Sequence, residues 1–151
     1  MAYIISSDST PTNISKIAEN DAAKDKLYLS PLNVVHTISD SDFANLKNVT
    51  KVVSGYESDN FVYTDANTHW DTEEELTSYI NMKISVVGNT ITVIGSTLER
   101  YPEHADASSW TTYKNVLENF DTSTVSYPLN TSWEKYCEDN SITYINLLEL
   151  P

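Results

Sequence analysis

Basic residues are scarce in this chain. Nine lysines and arginines, with Arg100 the single arginine, stand against 22 acids in 151 residues, for a formal net charge of -13. Affinity for a phosphate backbone comes from clustered Lys and Arg displacing counterions, and cations this thinly spread form no such cluster. Direct nucleic-acid binding is therefore not expected. The same shortage argues against docking on anionic lipid, which needs polybasic segments. No run approaches the roughly 18 apolar residues of a membrane span, so no membrane partner is expected either. Glycine is also rare, with three residues at positions 55, 88 and 95. That count removes the glycine-rich phosphate cradles of both the P-loop and the dinucleotide kind. Cys137 stands alone, which excludes an intramolecular disulfide and leaves no thiolate set for zinc. The opening residues Met1 to Asp8 lack a basic stretch, and no targeting peptide is expected.

What the chain does have is enough apolar surface for a core. Hydrophobic residues make up 40% and aromatics 11%, ten of them tyrosines, a balance that points to an ordered fold rather than disorder. No stretch is biased enough in Gly, Pro or charge to be a linker, and the length suits one domain over residues 1–151. Residues 7–25 are polar and weakly periodic, which leaves the first thirty residues open to being an extended N-terminal arm.

Periodicity and turn chemistry predict an α+β fold with a mostly antiparallel sheet and three to four short helices. Tyr3 to Ser6 reads as a strand, and Ser9-Thr10-Pro11 opens a short helix carrying Ile14, Ile17 and Ala18. Asn33 to Ile38 is β-branched and strand-like, and Ser39-Asp40-Ser41-Asp42 caps a helix with Phe43 and Leu46 on one face. Lys51 to Ser54 and Asn60 to Thr64 read as a hairpin around a loop at 55–59. Asp71-Thr72-Glu73-Glu74-Glu75 supplies a cap, a Thr72/Glu75 capping box and acids at the positive end of the helix dipole, with Leu76, Tyr79 and Ile80 as the apolar face. A second hairpin is expected from Lys83–Val87 and Thr90–Ile94 about Gly88-Asn89, where alternation pairs Val86 with Ile91 and Ile84 with Val93. Trp110, Tyr113, Leu117 and Phe120 recur at helical spacing after a cap at Ser108 or Ser109. Ser132 opens a helix with Trp133, Tyr136 and Cys137 inward, and Ile142 to Leu148 reads as a final strand.

No reaction is written in these residues. His36, His69 and His104 lie far apart and none sits in a spaced ligand motif, so no metal site and no cofactor are expected. Asp40-Ser41-Asp42 and Asp65-Ala66-Asn67 offer oxygens without the spacing of a calcium loop, and read as helix caps and turns. Cys137 falls on the apolar side of its helix, where thiols are inert. No catalytic residue is assigned. Tyr and Trp anchor interfaces as well as cores, and Trp70, Tyr101 and Trp110, near loops or helix ends, are the candidate interface residues. Charge is uneven: residues 1–60 carry eight acids against five lysines, a net of -3, and residues 61–151 carry fourteen acids against four bases, a net of -10.

The run Val35-His36-Thr37-Ile38-Ser39-Asp40-Ser41-Asp42-Phe43, continued by Asn48-Val49-Thr50-Lys51 and Phe61-Val62-Tyr63-Thr64-Asp65, resembles small virion-associated proteins of marine tailed bacteriophages. The likeness covers about a third of the chain, lies in its Ser/Thr/Asn-rich, cysteine-poor manner, and carries no catalytic residues. It implies a noncatalytic structural or interaction subunit of a phage particle, assembled in the host cytoplasm, whose partners are other protein subunits, its own copies or virion proteins. The alternative is a cytoplasmic acidic protein that mimics nucleic acid toward a basic partner. A hydrolase built on paired carboxylates is the third reading, and it requires a cleft holding a carboxyl with a raised pKa.

Overall fold

A computed structural model describes residues 1–7, 11–27, 29–66, 68–97 and 107–149. The fold is α+β with antiparallel sheets. Two compact units make up the chain, Met1–Ala66 with Asn146–Pro151, and Asn67–Ile145. No change in composition marks the crossings between them.

The first unit is built on strands β1 (Ala2–Ser6), β2 (Ile14–Ala18) and β3 (Val34–Ile38), in the order β2-β1-β3 and antiparallel throughout. In this register Ile4 lies opposite both Ile17 and His36. Every residue of β1 is buried because both faces of the sheet are covered, which is why its sequence runs apolar without alternating. Ala2 and Ile4 pack with Ile17, Ile38, Phe43 and Leu46, while Tyr3 and Ile5 pack with Ala18 and Leu27 on the other face. Residues 2–6 and 14–18 of the segment considered as an arm are therefore strands of this sheet.

The helix expected at Ile14 to Ala18 is instead β2. Ile14 and Ile17 are β-branched and gain a ladder to the buried central strand, which a helix of this weak periodicity could not replace. The caps proposed at Ser9 and Thr10 lie outside the described residues. A short helix that the pattern did not indicate, α1 (Asp21–Asp25), is opened by Asn20, whose side chain accepts from the Ala23 amide at 2.9 Å. Helix α2 (Asp40–Lys47) forms as expected, with Ser39 as N-cap and Phe43 and Leu46 buried.

The hairpin of β4 (Lys51–Glu57) and β5 (Asn60–Asp65) has longer strands and a tighter turn than its sequence suggests. Ser58 and Asp59 both take positive φ, 51° and 63°, and close a two-residue turn that needs no glycine. Gly55 sits within β4, next to a bulge between Val53 and Gly55.

The expected last strand at Ile142 to Leu148 is absent from the described sheets: residues 142–146 are irregular and Leu147–Glu149 form a 3₁₀ turn. Buried Asn146 causes this. Its amide donates to the carbonyls of Leu46 at 3.0 Å and Lys47 at 2.9 Å, closing the end of α2, while its side-chain oxygen accepts from the Leu148 amide at 2.8 Å.

The second unit is helical, with α3 (Glu73–Thr97), α4 (Ala107–Asn119) and α5 (Trp133–Asp139). Helix α3 overturns the hairpin expected about Gly88-Asn89, since it runs unbroken through both. Leu76, Ile80, Lys83, Val87, Thr90 and Ile94 recur every three or four residues and are all buried, forming one continuous stripe. Two polar residues in that stripe, Lys83 and Thr90, hide it, and the β-branched residues between them imitate strand alternation. Burial of a long face outweighs weak local propensity. At the start of α3, Thr72 Oγ1 accepts from the Glu75 amide at 3.3 Å, and the Glu75 carboxylate reaches back one residue further than expected, to the Asp71 amide at 2.7 Å. Helix α4 buries Trp110, Tyr113 and Leu117 as its spacing indicates, but begins at Ala107, so Ser108 and Ser109 are first-turn residues and not caps. Ser132 caps α5.

Candidate functional site

A groove of about 850 Å³ opens on the first unit. It is lined by Val35, His36, Thr37 and Ile38 of β3, by Met1, by the start of α2 at Ser39, Asp40 and Asp42, and by Tyr56, Asp59, Asn60, Phe61 and Tyr63 of the hairpin. Successive side chains of a strand point to opposite faces. Four consecutive β3 residues line this groove, so it reaches the strand's backbone as well as the side chains of one face. In the sheet order β3 is an outer strand, paired among the described residues with β1 alone, and alternate N–H and C=O groups of an outer strand point away from the sheet.

Aromatic rings form another part of the lining. The His36 imidazole meets Phe61 edge-on at 5.1 Å and Tyr56 at 5.7 Å, and Tyr56 meets Phe61 at 4.9 Å. Ser6 Oγ lies 3.1 Å from His36 Nε2. Ser6 is buried and does not line the groove, so this contact orients the imidazole and does not present a nucleophile. The Tyr63 hydroxyl is buried without a hydrogen-bond partner, and burial, reinforced by Asp42, pushes its pKa up to about 12. Three carboxylates line the groove, Asp40, Asp42 and Asp59, and none of the lining residues is Lys or Arg. Among the described residues, the Met1 ammonium supplies a positive charge there, 3.6 Å from Asp40 Oδ1.

The second unit holds a different polar cluster, sealed from solvent. Lys83 Nζ lies 2.6 Å from Glu134 Oε1, and the Tyr79 hydroxyl donates to the same oxygen at 2.8 Å. Glu134 Oε2 has no hydrogen-bond partner. The Trp133 indole N–H donates to the Tyr113 hydroxyl at 3.1 Å. Burial raises the pKa of the Tyr79 and Tyr113 phenols and of the Cys137 thiol, with Glu134 adding to each, so Cys137 is held as an unreactive thiol. Lys83 and Glu134 are spaced as core residues of their helices, and that spacing is the sequence signal that turns each inward. Charged side chains at stripe positions are easily read as breaks in the stripe.

Of the candidate interface residues, Trp110 is buried on the inner face of α4. Trp70 is half-buried, exchanges backbone hydrogen bonds of 2.8 Å with Leu129, and packs its ring 4.6 Å from Tyr79. Its indole nitrogen is buried without a partner. Tyr101 lies outside the described residues. Asp40 and Asp42 occupy the first turn of α2, where the dipole favours them. Asp65 pairs with Lys51 at 2.6 Å, a contact that lowers its carboxyl pKa. His69 lies 3.6 Å from Asp71 on an exposed segment. Among the described residues no three His, Cys, Asp or Glu side chains converge on a common metal position, and no helix is long and apolar enough to cross a membrane.

No family model, no curated protein and no solved structure matches the chain.

Proposed function

We propose that this chain is a noncatalytic interaction subunit that joins other protein subunits through the free edge of β3. The observation that carries the reading is the groove along that edge. An outer strand with unpaired backbone groups is a template for another strand, and proteins that do not use such an edge usually cover it, charge it or shorten it. Here the strand itself carries no charged residue, and Val34 and Val35 are each 42% exposed. The noncatalytic part of the reading draws on the second unit, whose Lys–Glu pair lies in the interior, out of reach of any substrate. Placement in a phage particle draws on the sequence resemblance at residues 35–51 and 61–65, which spans β3, α2 and β5.

Quantitative mass spectrometry of density-purified particles tests this. The chain is expected in fixed stoichiometry with the other subunits. A chain that stays monomeric and never travels with an assembly would overturn the reading, and salt-sensitive association with a basic nuclease would replace it with the phosphate-mimic alternative.

A further inference from the structure

We propose that the groove beside β3 seats an extended, lysine- or arginine-bearing segment of a protein partner, added to the β3 edge as a further strand. The inference rests on the edge-contact reading above and names the chemistry of what the edge receives.

Three features of the groove specify that chemistry. It lies against the β3 backbone, with Val35, His36, Thr37 and Ile38 all lining it, and an extended segment satisfies the outward N–H and C=O groups of such an edge where a helix does not. Its charge is negative: among the described residues lining it, Asp40, Asp42 and Asp59 stand against the Met1 ammonium. Its wall is aromatic: Tyr56, Phe61 and Tyr63 offer rings against which the aliphatic stems of Lys and Arg pack, and ring faces that attract their cationic ends.

Alternate residues of the added strand point toward the hairpin and the others toward solvent. A segment with a basic residue at every second position therefore places its cations among the carboxylates. A second copy of this chain is a poor occupant: at a net charge of -13 it is repelled, and its own β3, Val34–Ile38, contains no lysine or arginine. A nucleic acid is repelled by the same carboxylates.

The test uses the full chain and three labelled peptides of about six residues, a usual strand length. One alternates lysine with valine and threonine, one has glutamate in place of lysine, and one is the lysine peptide with alternate backbone nitrogens methylated to block strand addition. Fluorescence anisotropy is expected to show saturable binding of the lysine peptide, weakening about tenfold for either altered peptide and again at about 0.5 M salt. Asp59→Asn, in the hairpin turn where Asn also accepts positive φ, and Asp42→Asn, in α2, are each expected to weaken binding severalfold. Two sites are used so that a loss of helix stability in the Asp42 variant does not decide the result.

Equal binding of the lysine and glutamate peptides, with methylation blocking both, would overturn the basic partner and leave the edge contact standing. Methylation without effect would overturn strand addition. No binding of any peptide would overturn the proposal, and the particle measurement would then decide the broader reading alone.

Discussion

Lys83 and Glu134 face each other at 2.6 Å with side chains only 2% exposed, an ion pair in the interior of the second unit that ties α3 to α5. Desolvating two charges is costly, and their attraction offsets that cost only while both are present. Tyr79 helps by donating to Glu134, and its ring lies 4.9 Å from Lys83 Nζ. Lys83→Met alone strands a buried carboxylate and is expected to cost about 3–5 kcal/mol of unfolding free energy. The double variant Lys83→Met/Glu134→Leu removes both charges and should recover much of that loss. Urea denaturation of the two single variants and the double variant measures the coupling. Additive losses would contradict the pairing.

Gly88 separates the two readings of residues 83–94. In a hairpin turn it would need positive φ, and a methyl group there would be strained. In α3 its φ is not positive, and an added Cβ would meet only the end of Lys114 at 3.6 Å, an ordinary contact. Gly88→Ala is therefore expected to stabilise the protein by about 0.5–1 kcal/mol, the usual gain from replacing a helix-interior glycine. Gly95→Ala, with nothing among the described residues within 4 Å of its added Cβ, should act in the same direction. Destabilisation at position 88, read from thermal unfolding, would favour the hairpin.

Asn146 holds the last segment against α2. Asn146→Ala takes the side-chain donor from the Lys47 carbonyl, leaves the Leu46 carbonyl with the Val49 amide at 3.2 Å alone, and removes the acceptor for the Leu148 amide. A loss of about 1–3 kcal/mol is expected from stranding buried polar groups, with faster amide exchange at the end of α2. An unchanged unfolding midpoint would mean that the segment is not fixed by these bonds.

Glu149 gives the first unit a pH dependence. Burial raises its pKa above the ordinary value of 4.5, so over the window from that value up to the raised one the folded state binds its proton more tightly than the unfolded chain. Stability from this group is present at low pH and is lost as pH rises through that window. Glu149→Gln keeps an oxygen that can accept from the Asn146 amide and removes the titration. The variant is expected to be the more stable protein at about pH 7, with the difference shrinking toward about pH 4. A difference independent of pH would show that the carboxyl titrates normally.

Much of the first unit was legible in the sequence, because its signals are local. Ser39 with Phe43 and Leu46 states a cap and one helical face, and the hairpin shows its alternation on either side of a turn. Ile14 to Ala18 was not legible as a strand, because its partner is the buried β1 and pairing across a sheet leaves no mark within five residues. Helix α3 was misread for the opposite reason. Its local marks, Gly88-Asn89 and β-branched alternation, are strong, and the stripe that decides the outcome includes Lys83, whose burial depends on Glu134 some fifty residues away. The candidate site was half legible: His36, Asp40, Asp42 and Phe61 stand in the stretch that drew the resemblance, but that they line the free edge of an outer strand follows only from sheet order.

Amide hydrogen exchange at Val34–Ile38, measured for the chain alone and in its native assembly, tests the central claim most directly. As an open edge, β3 has alternate amides that should exchange fast in the isolated chain and become protected on assembly, while the helices of the second unit change little. Exchange at β3 that is the same in both states would contradict a contact through this edge.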